Sequence, residues 1–412
     1  MKIAIVGSGI SGLICAHLLC RKFDVTLFEA EGKVGGHVNT VTTFGKSGKF
    51  QIDTGFIVFN EKNYPNFVRL IHNLGVRSQP TRMGFSVRSE ILGYEYSGES
   101  LVGLFGHPRN LTDLNHWGMV RDILRFHKLA KPGDHSEESV HEFISRTKLG
   151  RRFRENFLLP LGSALWSCPE ERFETFPMEF VSDFLANHQM LQAQNRPVWR
   201  VIKGGSNTYV EKIVETFAGK LFLNAPIRRV EREGNQVRMR LSDGTTSLFD
   251  EVILACHANQ SLSLLESPSA EEVALLQAFP YENNMVSLHS DDSHLPKRRT
   301  ARASWNAYLS NKENENALIT YDMNILQNLS TTEPFCVSLN QKNGIPDELH
   351  HADFQFSHPT YHSGRKRAQL GHKYFIRNRG ISLCGAYWGY GFHEDGLVSG
   401  LRVCNAFGVK IE

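Results

Sequence analysis

The sequence predicts an α/β protein in which a parallel-sheet domain is combined with a mixed α+β domain. Residues 3–29 have the pattern of an apolar strand, a glycine-rich turn, an apolar helix and a second strand. Residues 207–256 continue with a helix, a strand, a three-stranded meander and a buried strand, and residues 381–400 add a short buried strand and the last helix. Strands that alternate with helices are typical of a parallel sheet covered by helices.

The glycine-rich turn predicts a dinucleotide site. Gly7 permits a tight turn out of the strand, Gly9 permits close approach of a pyrophosphate, and Gly12 permits close packing of helix on strand. Phosphates then bind the unpaired N–H groups at the start of the helix. Glu29 ends the second strand, where its carboxylate can accept the ribose hydroxyls and repel a 2′-phosphate. The residues predicted to bind the cofactor here are Gly7, Ser8, Gly9, Ile10, Ser11, Gly12, Glu29 and Ala30.

A second glycine pair favours FAD over NAD. An NAD domain would pass from Glu29 into another helix, whereas here Gly35-Gly36 follows, which indicates a second close backbone approach to an extended ligand. An Asp-Thr-Gly turn at residues 53–55 then interrupts an apolar strand over residues 50–59.

The middle segment is organised by turn residues. Lys203-Gly204-Gly205 precedes a predicted helix over residues 207–217. Gly234-Asn235 and Asp243-Gly244 are turn pairs typical of hairpins. The predicted strands lie over residues 221–225, 227–232, 236–241, 245–249 and 251–256.

These motifs carry a family resemblance. Glu29, Gly35-Gly36-His37 and Ile52-Asp53-Thr54-Gly55 resemble the flavin-dependent amine oxidase, phytoene desaturase and protoporphyrinogen oxidase superfamily, and residues 391–400 agree with its C-terminal loop and helix. The resemblance implies a Rossmann-like FAD domain of the glutathione-reductase type. It also implies that the start of the last helix lies under the flavin ring, where amides and the helix dipole stabilise negative charge on the reduced flavin. Further cofactor contacts implied by the resemblance are Gly35, Gly36, His37, Thr54, Gly55, Phe56, Ile57, Val230 (to the adenine), Gly385, Ala386, Asp395, Gly396, Leu397 and Val398.

The sequence departs from that pattern at two places. His37 stands where the superfamily usually has arginine, and Ala386-Tyr387 replaces the acidic residue that usually holds the ribitol. The resemblance makes the FAD domain discontinuous, over residues 1–60, 200–262 and 370–412, with a substrate domain over residues 61–199 and 263–369. In the substrate domain, periodicity predicts helices over residues 120–129 and 136–147 and strands over residues 284–289 and 302–309.

Within the superfamily, several phrases resemble one bacterial subgroup of NAD/FAD-binding proteins linked to methylated and cyclopropane fatty acids. They include Ala164-Leu165-Trp166-Ser167, Ala186-Asn187-His188 and Ala303-Ser304-Trp305-Asn306. The resemblance implies an oxidoreductase that desaturates a lipid acyl chain by hydride transfer to flavin N5. Oxygen, a quinone and a carrier protein all stay open as electron acceptors.

Candidate catalytic residues are His393 and Glu394, in the loop expected beside the flavin, and His188 in the substrate domain. The alternatives are structural, because Glu394 and Asp395 can cap the last helix and His188 can be a core histidine. We expect His358-Pro359 to form a rigid turn between the domains. The aromatic residues predicted to wall the substrate pocket are Trp166, Trp305, Tyr387, Trp388 and Tyr390.

Three other functions are compatible with this fold. The first is an amine or porphyrinogen oxidase, although the lysine that amine oxidases keep near flavin N5 has no clear position and Ser304-Trp305-Asn306 occupies a region where it is expected. The second is a redox-neutral flavin mutase with paired arginines for a pyrophosphate substrate; Arg298-Arg299 and Arg365-Lys366-Arg367 have the pattern of exposed loops. The third is a flavoprotein that binds lipid without turnover.

Composition excludes several other classes of protein. A net charge of +3 is too small to indicate nucleic-acid binding, and the seven cysteines form no C-x-x-C pair, so free thiols are expected and no metal site is. There is no run of eighteen apolar residues, and a first strand from residue 2 leaves no room for a signal peptide, so a cytoplasmic protein is expected. Lys297-Arg298-Arg299 with Arg302 is either a solvated loop or a contact with anionic lipid headgroups at the inner face of the membrane.

Overall fold

The computed structural model describes residues 1–133, 135, 138–191, 197–310, 317–341, 344–362 and 364–411. Its strands alternate with helices along both ends of the chain, as predicted. The strands are β1 (Lys2–Val6), β2 (Asp24–Phe28), β3 (Thr40–Gly45), β4 (Gly48–Asp53), β5 (Val58–Asn60), β6 (Ser78–Thr81), β7 (Phe85–Ser89), β8 (Tyr94–Ser97), β9 (Trp199–Ile202), β10 (Lys220–Phe222), β11 (Ile227–Glu233), β12 (Gln236–Leu241), β13 (Thr246–Phe249), β14 (Glu251–Leu254), β15 (Tyr281–His289), β16 (Trp305–Leu309), β17 (Leu318–Asp322), β18 (Cys336–Leu339), β19 (His350–Pro359) and β20 (Ile381–Leu383).

The helices are concentrated in the first half of the substrate domain and at the chain ends. A π-helical turn (Arg154–Leu158) joins two of them, and short 3₁₀ turns lie at Asp347–Leu349, His372–Phe375 and Ala386–Trp388. No helix among the described residues is long and apolar enough to cross a membrane. The α-helices are α1 (Ile10–Leu19), α2 (Pro65–Asn73), α3 (Leu101–Phe105), α4 (Pro108–Thr112), α5 (Leu114–Leu129), α6 (Val140–Thr147), α7 (Arg151–Phe153), α8 (Leu159–Trp166), α9 (Glu170–Glu174), α10 (Met178–Asn187), α11 (Asn207–Thr216), α12 (Ala258–Leu264), α13 (Ala270–Gln277), α14 (Met323–Leu326), α15 (Arg365–Leu370) and α16 (His393–Ala406).

A five-stranded parallel sheet in the order β10-β2-β1-β14-β20 forms the centre of the first domain. Its central strands are apolar without alternation, as expected for strands that are buried on both faces. One face packs against α1, α11 and α16, and the other packs against the meander β11-β12-β13. This arrangement confirms the predicted α/β fold.

The second domain contains a seven-stranded mixed sheet in the order β19-β15-β18-β17-β16-β7-β8, in which β16 and β7 are the parallel pair. The helices from α5 to α10 pack against this sheet and form a core rich in phenylalanine. There are also two small sheets, β3-β4 and β5-β9-β6. Along the chain, their strands come between strands of the two large sheets.

The packing differs from the expected domain boundaries at two elements. α2 was assigned to the substrate domain, but its buried residues Phe67, Leu70 and Ile71 pack in the cluster formed by α1 and α16. α13 likewise contributes Leu275 and Leu276 to the meander side of the parallel sheet. Sequence analysis placed no helix over either element, and an amphipathic pattern by itself does not say which neighbour covers the apolar face.

The predicted helix over residues 136–147 is described from Val140, where Ser139 and Glu142 form a capping box. Residues 136 and 137 lie outside the described residues. The strand predicted over residues 302–309 begins at Trp305.

Candidate functional site

The first glycine-rich turn has the tight geometry that its sequence predicts. Gly7 has a φ of +97°, and its N–H donates to the Phe28 carbonyl at 2.9 Å. A Cβ on Gly12 would lie 1.9 Å from the carbonyl oxygen of Gly7, whereas a Cβ on Gly9 would meet no atom within 4 Å. Gly7 and Gly12 are therefore required by the fold itself, while the open space beside Gly9 is available to a ligand.

The start of α1 presents unpaired amides at that open space. Gly9 is the N-cap residue and has no side chain, and no described side chain caps the helix. Ile10, Ser11 and Gly12 are buried, so their N–H groups need an acceptor from a bound group. A pyrophosphate fits this requirement, because its oxygens accept such bonds and the helix dipole favours negative charge.

The second glycine pair lies directly against the first motif. Gly35 and Gly36 have φ values of +125° and +59°, and a Cβ on Gly36 would lie 3.0 Å from the Cα of Gly9. The N–H of Gly35 donates to the Ser8 carbonyl at 3.1 Å. The two motifs thus form one continuous backbone surface, as the prediction of a single extended ligand requires.

Glu29 lies at the end of β2 beside the turn. Its Oε2 accepts the Ser8 N–H at 2.9 Å and also the Ser8 hydroxyl, and its Oε1 accepts the Glu31 N–H at 3.0 Å. A carboxylate has about four acceptor positions, so capacity is left for ribose hydroxyls. The neighbouring Ala30 is exposed.

Asp53 organises the junction behind these motifs, a role that sequence analysis missed. Its Oδ1 accepts from the Thr40 hydroxyl at 2.6 Å and from the Ser206 N–H at 2.9 Å, and the Ser206 hydroxyl donates to its Oδ2 at 3.0 Å. Burial raises the pKa of Asp53 to about 6. The carboxylate oxygens of Asp53 therefore join the hairpin β3-β4 to the start of α11. The sequence feature that could have indicated this role is the Lys203-Gly204-Gly205 turn, which places the start of that helix.

The following turn brings three further predicted cofactor contacts together. Thr54 forms hydrogen bonds with Asn39 in both directions. The Asn39 side-chain amide donates to the Thr54 hydroxyl at 2.7 Å, and the Thr54 N–H donates to the Asn39 carbonyl at 2.9 Å. Phe56 donates its N–H to the His37 carbonyl at 2.9 Å, and a Cβ on Gly55 would lie 1.9 Å from that same oxygen. Ile57 lies next in the chain and packs at the edge of the substrate-domain core.

His37 belongs to a cluster of imidazoles between the two domains. Its ring centroid lies 5.5 Å from those of His257 and His358 and 5.2 Å from that of Phe356. Burial lowers the pKa of His37 and lowers those of His257 and His358 to about 3, to which the neighbouring imidazole charges contribute. His37 therefore contacts neutral partners in this structure.

The expectation of a rigid turn at His358-Pro359 was wrong. Both residues end strand β19, where they pair with Glu282 and Tyr281 of β15. A proline is tolerated there because β19 is an edge strand of the sheet.

The two ends of the chain meet at the predicted flavin loop. The Ser11 hydroxyl donates to the Gly396 carbonyl at 2.8 Å, and a Cβ on Gly396 would lie 2.8 Å from Ile10. A Cβ on Gly396 would also contact the side chain of Ala386 at 3.6 Å. The Ser399 hydroxyl accepts the Gly385 N–H at 2.8 Å. Leu397 is buried and Val398 is half-buried in the same helix. The structure thus brings the C-terminal candidates beside those of the first motif.

Arg365 anchors this loop, which corrects the expectation that residues 365–367 form an exposed loop. Arg365 is 2% exposed, and its guanidinium donates to the carbonyls of Tyr387 at 3.3 Å and Gly389 at 3.2 Å. Its charge also lies 4.1 Å from the ring centroid of Tyr361. Burial lowers its pKa. Nothing in the local sequence distinguishes this arginine from Arg367.

The acidic residues of the loop cap helices. Asp395 caps α16, since its Oδ2 accepts the Phe392 N–H at 2.9 Å. Glu394 caps α2 and not the last helix, because its oxygens accept the N–H groups of Asn66 and Phe67, each at 3.0 Å. The alternative that Glu394 caps a helix was thus correct, but the helix it caps is α2 and not the last helix. The catalytic role of Glu394 stays a prediction.

The two candidate histidines lie among aromatic rings, His188 buried and His393 half-buried. His393 stacks on Phe56 with centroids 3.8 Å apart, and its Nε2 lies 2.8 Å from the Tyr209 hydroxyl. His188 lies 4.0 Å from the ring of Phe184 and 3.0 Å, by its Nδ1, from the Phe184 carbonyl. Burial lowers the pKa of His188 to about 4 and that of His393 to about 3. Both are neutral near pH 7, and the catalytic roles of both stay predictions.

The predicted pocket aromatics divide into two groups. Trp166 and Tyr390 lie within one aromatic cluster, each adjacent to Phe180 and Phe184, and Trp305 packs on Tyr321 at the margin of the same core. Tyr387 and Trp388 instead pack with Phe279 in the core on the meander side of the parallel sheet. Their position in the sequence next to Tyr390 did not reveal this, because the 3₁₀ turn that contains Tyr387 and Trp388 ends before Tyr390.

Val230 is buried in strand β11, and its carbonyl accepts the Glu266 N–H at 3.0 Å. A bulge between Ile227 and Arg229 precedes it. The contact between Val230 and the adenine stays a prediction.

Comparison with known proteins gives the family. The model of the family described as flavin containing amine oxidoreductase matches residues 10–296. The chain is 24% identical over 320 residues to polyamine oxidase 4 of Oryza sativa subsp. japonica, an alignment that covers 72% of this chain and 60% of that protein. It is 21% identical over 323 residues to coproporphyrinogen III oxidase of Bacillus subtilis (strain 168), covering 70% and 64%. The chain spans about 40 to 60% of the length of the curated relatives that match it first.

Solved structures share the fold at low sequence identity. Cyclohexylamine oxidase from Brevibacterium oxydans IH-35A superimposes with a TM-score of 0.71 at 13% identity, over 98% of each chain. A CLA-producing fatty acid isomerase from P. acnes superimposes with a TM-score of 0.65 at 13% identity, also over 98% of each chain.

The sheet topology and the paired glycine motifs define a dinucleotide-binding α/β protein whose first domain fits FAD. The chain belongs to the flavin-containing amine oxidoreductase family, and FAD is its cofactor.

Proposed function

We propose that this enzyme oxidises an amine, removing a hydride from the carbon next to the nitrogen. The family model and relatives such as polyamine oxidase 4 support this substrate class over the acyl chain that the subgroup resemblance implied. When bound, FAD supplies the hydride acceptor at N5 of its flavin. The remaining work of binding, orientation and proton transfer belongs to side chains of this chain.

The observation that carries the proposal is the acidic surroundings of Tyr390. Burial raises the pKa of Tyr390, and the negative charges of Asp183, Asp395 and Glu179 raise it further. Glu179 is paired with Lys366 at 2.5 Å, and the charge of Lys366 also acts to lower the pKa of Asp183, which burial raises. No described residue lies within salt-bridge distance of the half-buried Asp183. A carboxylate next to an aromatic ring suits a substrate ammonium, because ion pairing and the face of the ring both favour the cation.

The adjoining wall is aromatic and uncharged. Phe184 and Phe392 stack with centroids 4.9 Å apart, and His188 lies beside both rings. Because burial lowers the pKa of His188 to about 4, this imidazole adds no positive charge that would repel an ammonium near pH 7. The wall therefore excludes water from the carbon skeleton of a substrate while Asp183 attracts its nitrogen.

A second candidate is dehydrogenation of an acyl chain. The observation that favours it is the continuity of the aromatic cluster, in which Trp166 contacts Phe173, Phe180 and Phe184 without a charged side chain between the rings. The fatty acid isomerase from P. acnes shares this fold. Of the arginines considered for the mutase alternative, Arg365 is not available to a pyrophosphate substrate, because it is buried and bonded to the carbonyls of the loop.

The test is anaerobic reduction of the purified holoprotein, first with hydrophobic mono- and diamines and then with phospholipid that carries unsaturated acyl chains. We expect an amine to bleach the oxidised flavin band near roughly 450 nm and to give an imine, which water hydrolyses to the aldehyde with release of the nitrogen as ammonia or an amine. The Asp183→Asn variant should raise KM about tenfold with kcat retained, since one ion pair in a half-buried site is worth roughly 1 to 2 kcal/mol. The exposed Glu61→Gln variant is the control.

Bleaching by phospholipid alone, with a new double bond in the lipid, would contradict amine oxidation and establish the second candidate. No bleaching by any substrate would favour the flavoprotein that binds without turnover. Mixing the reduced protein with oxygen, a quinone or a reducible carrier protein identifies the electron acceptor by the rate at which the band returns.

A further inference from the structure

A large share of the exposed apolar surface is concentrated on one face of the substrate domain. Half of the exposed large hydrophobic side chains among the described residues lie between residues 91 and 129. They project from the turn between β7 and β8 and from α3, α4 and α5. The most exposed are Leu114 at 84%, Leu101 at 75%, Ile91 at 67% and Val102 at 64%. Single exposed hydrophobics are ordinary, but a cluster of this kind indicates a binding surface.

Helix α5 supplies a mixed stripe along this face. Leu114, Trp117, Arg121, Leu124 and Lys128 follow one another at intervals of three and four residues and are all exposed. The opposite side of the helix is buried through His116, Met119, Asp122 and Phe126. The outward stripe therefore alternates apolar and basic side chains, unlike the purely polar stripe of an ordinary surface helix.

Contacts between the elements make the face continuous. The Trp117 indole donates to the Leu111 carbonyl of α4 at 3.1 Å and lies 4.5 Å from the Phe105 ring of α3. Arg109 of α4 donates to the Gly93 carbonyl at 3.3 Å, which joins the turn that carries Ile91. We call this surface the apolar–basic face.

A basic loop borders this face. Lys297, Arg298 and Arg299 are exposed, and the buried Glu95 holds their loop in place by accepting the N–H groups of Lys297 at 2.8 Å and Arg298 at 2.7 Å. The loop lies against α3, since a Cβ on Gly106 would lie 2.6 Å from the Thr300 hydroxyl. Arg302, grouped with this run in the sequence, instead pairs with Asp292 at 2.9 Å.

The acidic groups near the face are already paired. Asp113 binds Arg152 at 2.5 Å, Asp122 binds Arg125 at 2.9 Å, and Glu99 lies 3.5 Å from Arg82. Arg121 lies 3.7 Å from Asp122 and Arg298 lies 4.0 Å from Glu95. Among the described residues, Lys128, Lys297 and Arg299 form no salt bridge, so these three present positive charge around an apolar centre.

We propose that the apolar–basic face docks on the surface of an anionic phospholipid bilayer. The leucines and Trp117 enter the boundary between headgroups and acyl chains, and the basic side chains contact the phosphates, as in interfacial amphipathic helices. A second copy of the chain fits less well, because a two-fold contact would place the basic borders against each other. The proposal does not rest on amine oxidation, since docking at a membrane is independent of the substrate.

The experiment is sedimentation of the purified holoprotein with vesicles of phosphatidylcholine, either pure or containing about 30% phosphatidylglycerol. We expect binding to the anionic vesicles to be at least about tenfold tighter and to weaken as salt rises. The double variant Leu101→Ser, Leu114→Ser should lose about tenfold or more in affinity, and so should Lys297→Gln with Arg299→Gln. The Leu370→Ser variant, equally exposed at 76% but on α15, should bind like the wild type.

A second readout uses Trp117 directly. Its emission should shift to shorter wavelength on binding, and the shift should disappear in Trp117→Phe while sedimentation persists. No sedimentation with either vesicle, or equal loss in the Leu370→Ser control, would overturn the proposal. So would a stable dimer in solution that Leu114→Ser converts to monomer, because the face would then be an interface between protein chains.

Discussion

At the scale of single residues, the glycines of the dinucleotide motif do different work. Gly7 and Gly12 are fixed by the protein, because a side chain there would collide with backbone atoms. Gly9 is not fixed in this way, since a Cβ would meet no protein atom within 4 Å and its backbone conformation suits any residue. The glycine at this position is explained by what binds beside it.

This difference predicts the outcome of Gly9→Ala. We expect the variant to fold with unchanged apoprotein stability and to bind FAD at least about tenfold more weakly, because the methyl group occupies the space of the pyrophosphate. Titration of the apoprotein with FAD, followed by quenching of flavin fluorescence, measures this affinity. Gly118→Ala, at another glycine with open space around its Cβ, should leave FAD binding unchanged. Equal affinities in Gly9→Ala and wild type would show that the cofactor lies elsewhere.

At the scale of elements, helix ends join parts of the chain that are distant in sequence. Glu394 at the start of α16 caps α2, and Asp53 at the end of β4 accepts from the start of α11. Asp53 is buried and Glu394 is half-buried, and in both cases the carboxylate accepts N–H groups at a helix start that would otherwise lack a partner. The loop under the expected flavin position is therefore held from several sides.

The capping geometry predicts that Glu394→Gln is a stability variant. The amide cannot accept from the Phe67 N–H and the Asn66 N–H together, so we expect a loss of about 1 kcal/mol in the free energy of unfolding. Urea denaturation measures the loss, and the rate of anaerobic flavin reduction should stay within about threefold of wild type. A reduction rate that falls by orders of magnitude, with a pH profile that loses one limb, would instead assign Glu394 a catalytic role.

The anchor at Arg365 predicts a stronger effect. Arg365→Lys keeps the charge but cannot serve the carbonyls of Thr360, Tyr387 and Gly389 with one ammonium. Gln369 also donates to the last two carbonyls, so the Thr360 carbonyl is the acceptor that depends on Arg365. We expect a loss of roughly 2 to 4 kcal/mol in stability together with weaker FAD binding. Arg367→Lys on the same helix is the matched control. Wild-type FAD affinity in Arg365→Lys would contradict the anchoring role.

At the scale of the whole molecule, buried histidines make the stability of the fold depend on pH. Burial lowers the pKa values of His188, His289 and His372 to about 4, from about 6.5 in an unfolded chain. A lowered folded pKa gives stability that is fully present above about pH 6.5 and is lost as pH falls toward 4. Asp53 and Asp395, whose pKa values burial raises to about 6, oppose this trend between about pH 6 and 4.

Because these effects oppose each other, the contribution of one histidine is measured by comparing a histidine variant with the wild type. His188→Gln removes one such imidazole, so its unfolding free energy should fall less steeply than that of wild type from about pH 6.5 to 5.5, by roughly 1 kcal/mol per pH unit. Urea midpoints across this range measure the slope. Asn187→Gln, at the exposed neighbouring position, changes no titratable group and should retain the wild-type slope. Parallel slopes for wild type and His188→Gln would show that His188 is not held neutral by burial.

The sequence was most informative where local chemistry decides the structure. The turn pairs Gly234-Asn235 and Asp243-Gly244 set the meander to within one residue of the observed strands. It was least informative for residues whose role depends on a distant partner. Arg365 was taken for an exposed side chain and His358 for part of a turn, because neither the loop carbonyls nor the neighbouring strand is visible locally.

The sequence by itself determined the α/β fold, the two glycine motifs and the FAD cofactor. The fold follows from the local pattern of apolar strands and helices, and the cofactor site follows from glycines at tight turns and close backbone approaches. Only the tertiary structure decided that Glu394 caps α2, that Tyr387 and Trp388 pack away from Tyr390, and that the exposed leucines of α3 to α5 share one face with a basic loop. These outcomes depend on which surfaces meet across hundreds of residues. Periodicity and spacing describe one segment at a time and cannot specify that partner.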